Sequence, residues 1–252
     1  MNDDGNGKRM SAYEAVAGIY DRLMSEVDYD KWFRNYVCLL GLSRIEVNDL
    51  LEIGCGTGLM TSRFAQYFDV TAVDYSKDML EQAKIRRIDG RHSVTWAQAD
   101  MLTLSLDRTF DAAVAVFDVF NHALSLPALE QVLDRVRHHL RPHGRLLFDV
   151  NSPYAFEAHL FDEEYHSPDG QEWHSWRGDW DAERQLVTVD MTFFDHGKRF
   201  EERHVQRAHT LHEIRMSLQN THFSHIAILD AEQMQPPIRE TDRFLVSAER
   251  SD

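Results

Sequence analysis

Between Asp49 and Val150, short apolar runs alternate with helical stretches at the spacing of strands joined by crossover helices. Leu50-Leu51-Glu52-Ile53 reads as a buried strand ending at glycines, and Val70–Val73 as a second, stopped by Asp74. Val94–Ala97, Phe110–Phe117 and Arg145–Val150 follow as strands three to five. Leu59–Tyr67, Lys77–Ile88 and Leu126–Leu140 carry helical periodicity; Ser76 is placed to cap the second, and Arg141-Pro142-His143-Gly144 to stop the third. Such an order predicts a parallel sheet covered on both faces, which is an α/β fold.

The flanks have a different texture. Residues 1–44 form a polar tail, Met1–Arg9, and two helical pieces, Ala12–Met24 and Tyr29–Leu40. After the core at 45–151, residues 152–209 read as strands without helices. Val187, Val189, Met191 and Phe193 alternate with polar residues, Asp195-His196-Gly197-Lys198 is a hairpin turn, Phe200–Ala208 is the return strand and Gln171–Trp176 a third. This is an antiparallel β insertion. In 210–252 a helix, Leu211–Gln219, and two strands, Ser224–Leu229 and Arg243–Ala248, rejoin the main sheet.

The formal charge of −15 opposes phosphate backbones, so no nucleic-acid partner is expected. No run approaches the ~18 apolar residues that span a bilayer, and Met1–Met10 has no apolar signal core. Two cysteines, Cys38 and Cys55, make neither a disulfide framework nor a zinc set. The expectation is a cytoplasmic protein with no membrane partner. Among 14 histidines, the pairs His209/His212 and His222/His225 have the spacing of one helix face, but neither has a third ligand in place, so no metal is expected.

The sharpest motif is Glu52-Ile53-Gly54-Cys55-Gly56-Thr57-Gly58, between a strand and a helix. Glycines serve where backbone turns tightly and a ligand comes close to it. A dinucleotide fingerprint needs glycines at positions one, three and six, and the sixth here is Leu59. No GK[ST] follows, which excludes a P-loop.

The acidic residue followed by G-x-G-x-G resembles the first motif of the class I S-adenosylmethionine-dependent methyltransferases of small-molecule type. The resemblance continues at Asp74, at Ala99-Asp100-Met101, from Phe110-Asp111 to Phe117-Asp118, and at Leu140–Arg145. It implies a Rossmann-like, seven-stranded, mostly parallel sheet and S-adenosyl-L-methionine as cofactor. It places Asp74 on the ribose hydroxyls, where a carboxylate accepts from both, and Asp100 on the adenine amino group. Glu52, Gly54, Cys55, Gly56, Thr57, Gly58, Tyr75, Met79, Met101 and Phe117 are implied beside them. The stretch from Tyr20 to Trp32 resembles the lid helices of amino-sugar N-methyltransferases, with Tyr20 over the methionine part of the cofactor.

Transfer from a sulfonium needs alignment, exclusion of water and, for an ammonium or hydroxyl acceptor, a base. His122, after the fourth strand, is the candidate base, with a helix cap or pocket wall as the alternative; Asp118 is the second candidate, holding a cationic acceptor. Residues 155–205 contain thirteen acidic and five basic residues, with Trp173, Trp176 and Trp180. They suit a cover over an organic cation; the alternatives are packing under the sheet and the interface of a homodimer. Arg207 reads as a surface salt bridge rather than a pocket residue. The expected reaction is methyl transfer to nitrogen or oxygen of a small-molecule acceptor, nitrogen preferred. The alternatives are C-methylation and a cofactor-binding protein without transfer. A macromolecular acceptor is disfavoured by the lack of a basic docking region.

Overall fold

The computed structural model describes residues 17–160, 162–167, 172–195 and 197–251. In chain order the elements are α1 (Tyr20–Leu23), α2 (Tyr29–Leu40), β1 (Asp49–Ile53), α3 (Leu59–Phe64), β2 (Asp69–Asp74), α4 (Lys77–Ile85), β3 (Val94–Gln98) and β4 (Phe110–Ala115). A 3-10 turn, Val119–His122, then leads to α5 (Leu126–His139), β5 (Leu140–Asn151) and α6 (Pro153–Glu157). They are followed by β6 (Glu163–His166), β7 (Glu172–Asp181), β8 (Leu186–Asp195), β9 (Lys198–Arg207), α7 (Leu211–Asn220), β10 (Phe223–Asp230) and β11 (Arg243–Arg250).

Among the described residues the strands form two sheets. Seven make the main sheet in the order β10-β11-β5-β4-β1-β2-β3, and four make an antiparallel sheet, β6-β7-β8-β9. β1 runs parallel to β2 and β4, and β11 is antiparallel to both β5 and β10. This is the expected α/β architecture, Rossmann-like with an inserted antiparallel sheet. β4 lies central and every one of its residues is buried, which its run of alanines and valine suits on a sheet packed on both faces. Leu129, Val132, Leu133 and Val136 of α5 cover one face; Tyr36, Leu39 and Leu40 of α2, with Met60 and Phe64 of α3, cover the other. The predicted cap is present: Ser76 Oγ accepts from the Met79 amide at 3.3 Å.

Several sequence expectations need correction. β4 stops at Ala115, because Phe117 and Asp118 have φ of 68° and 52° and leave the strand in the left-handed region. The Arg141–Gly144 stop lies within β5, where the register against β4 shifts between Phe110–Leu140 and Ala112–Arg145; the residues form a bulge, not a break. The insertion contains a helix, α6, with Ser152 at its N-cap and Pro153 in its first turn. It also contains a fourth strand, β6, missed because all four of its residues are exposed and show no alternation. α3 and α4 end earlier than their periodicity suggests. The helix predicted from Ala12 lies outside the described residues before Ala17, and α1 is a single turn.

The inserted sheet has an inward face set by register. Trp176, Met191 and Glu202 lie side by side across β7, β8 and β9; so do Gly178, Val189 and His204, and Trp180, Val187 and Gln206. Val187, Val189, Phe193, Glu202, His204 and Gln206 are all buried.

Candidate functional site

The C-terminal ends of the parallel strands carry the site, as expected for an open sheet whose ligands bind where strand order reverses, here between β1 and β4. After β1 the chain turns through Gly54, Gly56 and Gly58, all at positive φ. A Cβ on Gly54 would stand 2.5 Å from Val119 of the 3-10 turn, and one on Gly58 2.8 Å from the Trp96 ring. Close approach of neighbouring elements therefore demands glycine at these two positions. The amides of Gly54 and Cys55 donate to Val73 O, that of Gly58 to Cys55 O and that of Gly56 to Asp74 Oδ2 at 2.8 Å. These four amides are engaged within the protein, so the loop's value lies in its lack of bulk and not in free N–H donors.

A cavity of about 300 Å³ lies over this loop. Tyr20, Glu52, Gly54, Cys55, Gly56, Thr57, Asp74, Tyr75, Met79, Asp100, Met101, Phe117 and His122, all named from the sequence, border it. Gly58 does not; it packs on Trp96 and begins α3. Tyr29 of α2 and Val119 border the cavity without having been predicted. Burial pushes the Glu52 carboxyl up to about 8, with the Thr61 hydroxyl opposing and Asp74 adding to the rise. Among the described residues, Glu52 Oε2 has no hydrogen-bond partner. Asp74 is also raised by burial, against the amides of Gly56 and Ser76 that bond to its two oxygens. Each oxygen keeps a second lone pair. Burial likewise drives the Cys55 thiol well up, which leaves it protonated and inert. The Tyr20 phenol is raised by burial, then by Tyr29, Asp118 and Asp74, and stays protonated.

A second cavity, about 240 Å³, adjoins the first, with Tyr20 and Phe117 on both linings. Trp32 of α2, Trp176, Met191 and Phe193 of the inserted sheet, and Leu23 and Met24 give it an apolar, aromatic wall. His204, Gln206, Asp118 and Arg243 are its polar members. The partition between the cavities is built from the left-handed turn at Phe117. The buried Asp149 carboxylate accepts from the amides of Phe117 (2.7 Å) and Asp118 (3.0 Å) and from the Tyr36 hydroxyl (2.7 Å). It thereby holds a turn that two non-glycine residues resist. Phe117 also meets Tyr29 and Trp32 edge-on, at centroid distances of 5.4 and 5.1 Å. Asn121 pins the 3-10 turn, donating to the carbonyls of Asn151 and Arg207 and accepting from the Asn151 amide.

Asp118 does not present a free carboxylate. Arg243 donates to it at 2.9 Å and to Asp149 at 2.6 Å, and Gln206 donates to it at 2.6 Å. Burial would raise its pKa, but Arg243, Gln206 and His122 outweigh that and hold it below the usual range. His122 is lowered by burial and by the nearby His204, against Asp118, so it is neutral at neutral pH. Of the three tryptophans assigned to a cover, Trp176 borders the second cavity, and Trp173 and Trp180 border neither cavity. Trp180 stacks on Phe156 and Trp173 on Phe194. Arg207 is buried rather than superficial; it joins β9 to α7 through Glu213 at 2.7 Å and bonds to His209 Nδ1. His209, pushed down to about 4 by burial and then by Arg207, is a packed residue. Among the described residues no cluster of three potential metal ligands occurs, and no helix is long and apolar enough to cross a membrane.

Residues 50–144 match the family described as Methyltransferase domain. A protein of Geobacillus sp. (strain WCH70) that bears a methyltransferase name is 30% identical over 94% of this chain and 99% of its own length. The chain belongs to the S-adenosylmethionine-dependent methyltransferases. A solved S-adenosylmethionine-dependent methyltransferase from Clostridium acetobutylicum superimposes with a TM-score of 0.84 at 25% identity, covering 96% of this chain and all of that one. The sugar N-methyltransferase KedS8 of Streptoalloteichus sp. shares the fold, with a TM-score of 0.76 at 18% identity, over 100% of this chain and 99% of that one.

The first cavity of this methyltransferase fits its cofactor chemically. The partnerless, buried Glu52 oxygen suits an ammonium, Asp74 suits a vicinal diol, and Asp100 can accept from an amino group. Met79, Met101 and Leu102 supply apolar wall for a flat ring.

Proposed function

We propose that this methyltransferase acts on a nitrogen or oxygen of a small-molecule acceptor held in the second cavity. The observation that carries the reading is the pair of abutting cavities that share Tyr20 and Phe117, with His122 beside the partition. The bound cofactor supplies a methyl on a positively charged sulfur, already activated. Glu52 would hold its ammonium, Asp74 its ribose and Asp100 its base. The chain's own work is then to align the acceptor, exclude water and take a proton.

Tyr20, Phe117 and Trp32 exclude water around the shared border, and the inserted sheet covers the acceptor. Among the described residues the Trp176 indole nitrogen has no hydrogen-bond partner, which leaves a donor for a polar group of the acceptor. The aromatic walls favour an amine, whose cationic form a ring face attracts. The size and enclosure of the cavity favour a small molecule over a macromolecular side chain. His122, neutral and half-buried, receives the acceptor's proton.

Calorimetry with S-adenosylmethionine, followed by mass spectrometry of a pooled set of small amines and phenols, tests the reading. Binding with methylated product is expected; binding with no product across the pool would favour a cofactor-binding protein without transfer. Asp74→Ala should weaken cofactor binding by roughly 1.5–3 kcal/mol, as for hydrogen bonds to a charged group, and unchanged affinity would remove it from the ribose. His122→Ala should lower turnover about 10²-fold if it is the base, and a variant of normal turnover at all pH values would refute that role.

A further inference from the structure

Gln206 ties the inserted sheet to the partition between the cavities. It lies on the inward face of β9, only 7% exposed, and lines the second cavity with Phe117 and Asp118. Its neighbour Val205 is the residue whose backbone bonds to the His122 ring. A carboxamide buried in a wall with Trp176, Val189, Met191 and Phe193 costs free energy unless both of its ends are bonded. One end is: Nε2 donates to Asp118 Oδ2 at 2.6 Å. That bond also fixes which way the amide faces. Asp118 is held below the usual carboxyl range, so it is a carboxylate and only accepts; a turned amide would set oxygen against oxygen. Arg243 holds the other Asp118 oxygen at 2.9 Å and keeps the carboxylate in place. The second end of Gln206 is open. Its Oε1 receives no hydrogen bond from any described residue, and it is not one of the atoms sealed from solvent.

We propose that Gln206 Oε1 holds an N–H of the acceptor, which makes Gln206 the residue that orients the acceptor and makes primary and secondary amines its class. The inference rests on the proposed function and deepens it. An amide oxygen only accepts, so it takes one N–H and leaves the nitrogen lone pair, the nucleophile, uncovered. With the amide turned, its NH2 group would donate to that lone pair and block it. Asp118 therefore acts on the acceptor through Gln206, as the group that sets the amide, and not as a base. A hydroxyl could donate to the same oxygen; the aromatic walls select the amine, whose ammonium form they attract. A neutral tertiary amine has no N–H to offer, so methylation ends at the tertiary stage.

The test uses the full chain with S-adenosylhomocysteine bound and two probes, benzylamine and benzyltrimethylammonium. Both carry the ring and a positive charge at neutral pH, but only the first has an N–H. Titration calorimetry compares the wild type with Gln206→Met, whose side chain has similar length and no hydrogen-bond acceptor of comparable strength. The variant should bind benzylamine about tenfold more weakly, as for one lost hydrogen bond to a charged group, and benzyltrimethylammonium as before. Unchanged benzylamine affinity would overturn the inference. So would equal weakening of both probes, because a change of cavity shape alone would do that. Wild-type affinity for S-adenosylmethionine shows that the variant folds. If it does not fold, the wild type decides: with S-adenosylmethionine, benzylamine and N-methylbenzylamine should give methylated product by mass spectrometry and N,N-dimethylbenzylamine none. A quaternary product would overturn the inference and leave the proposed function in place. A wild-type chain that binds the cofactor and methylates none of the three amines would overturn the proposed function, and the inference with it.

Discussion

Glu52 is an acid in the wrong place for an apo protein. Its carboxyl titrates at about 8, raised mainly by burial, so the folded chain loses stability from this group as pH rises from the unfolded value of 4.5 through 8. An ammonium placed beside it favours the ionised form, so cofactor binding releases a proton. Affinity for S-adenosylmethionine should therefore rise with pH, by up to about tenfold per unit, and level off above about 8. Calorimetry across pH checks this, and Glu52→Gln should flatten the dependence; an equally steep variant would place the proton elsewhere. Residues of this kind were legible in the sequence because loop chemistry is local: the glycines, Glu52, Asp74 and Asp100 sit at strand ends that alternation locates. That Gly58 packs against Trp96 and not on the cavity was not legible, since the contact depends on β3, thirty-eight residues onward.

At the scale of elements, the site depends on a turn held in unfavourable backbone. The turn at Phe117 and Asp118 carries the partition between the cavities, and Asp149, Tyr36 and Arg243 hold it from β5, α2 and β11. Arg243 is the only cation bonded to both carboxylates among the described residues. Asp118, with its pKa lowered, contributes stability above its unfolded value, which is lost as pH falls through the folded one. Arg243→Leu would strand two charges in the interior and should cost about 3–5 kcal/mol in denaturant unfolding at neutral pH. A loss under about 1 kcal/mol would show that water already screens the pair. None of these three residues was found from the sequence. Each comes from a different element, and no local pattern distinguishes Asp149 from any other acid in an apolar strand. The return strand was read as Phe200–Ala208, but the inward direction of Glu202, His204 and Gln206 is fixed only by pairing with β8.

Across the whole molecule, the parallel core and the inserted sheet divide the labour. The core supplies most of the first cavity, and its order followed from periodicity because each βα unit folds on neighbours in sequence. The inserted sheet and the two N-terminal helices supply the second cavity, whose lining draws on segments from Tyr20 to Arg243. Such a lining is a product of tertiary packing, and this is why its residues were not legible in the sequence.

The proposed function requires two neighbouring cavities to meet where the methyl is passed. A crystal structure of the chain with S-adenosylhomocysteine bound tests it most directly. Adenosine is expected against Asp74 and Asp100, the amino-acid end beside Glu52, and the sulfur at the border shared by Tyr20 and Phe117, open to the second cavity. A sulfur facing away from that cavity, or a ligand seated without contact to Asp74, would contradict it.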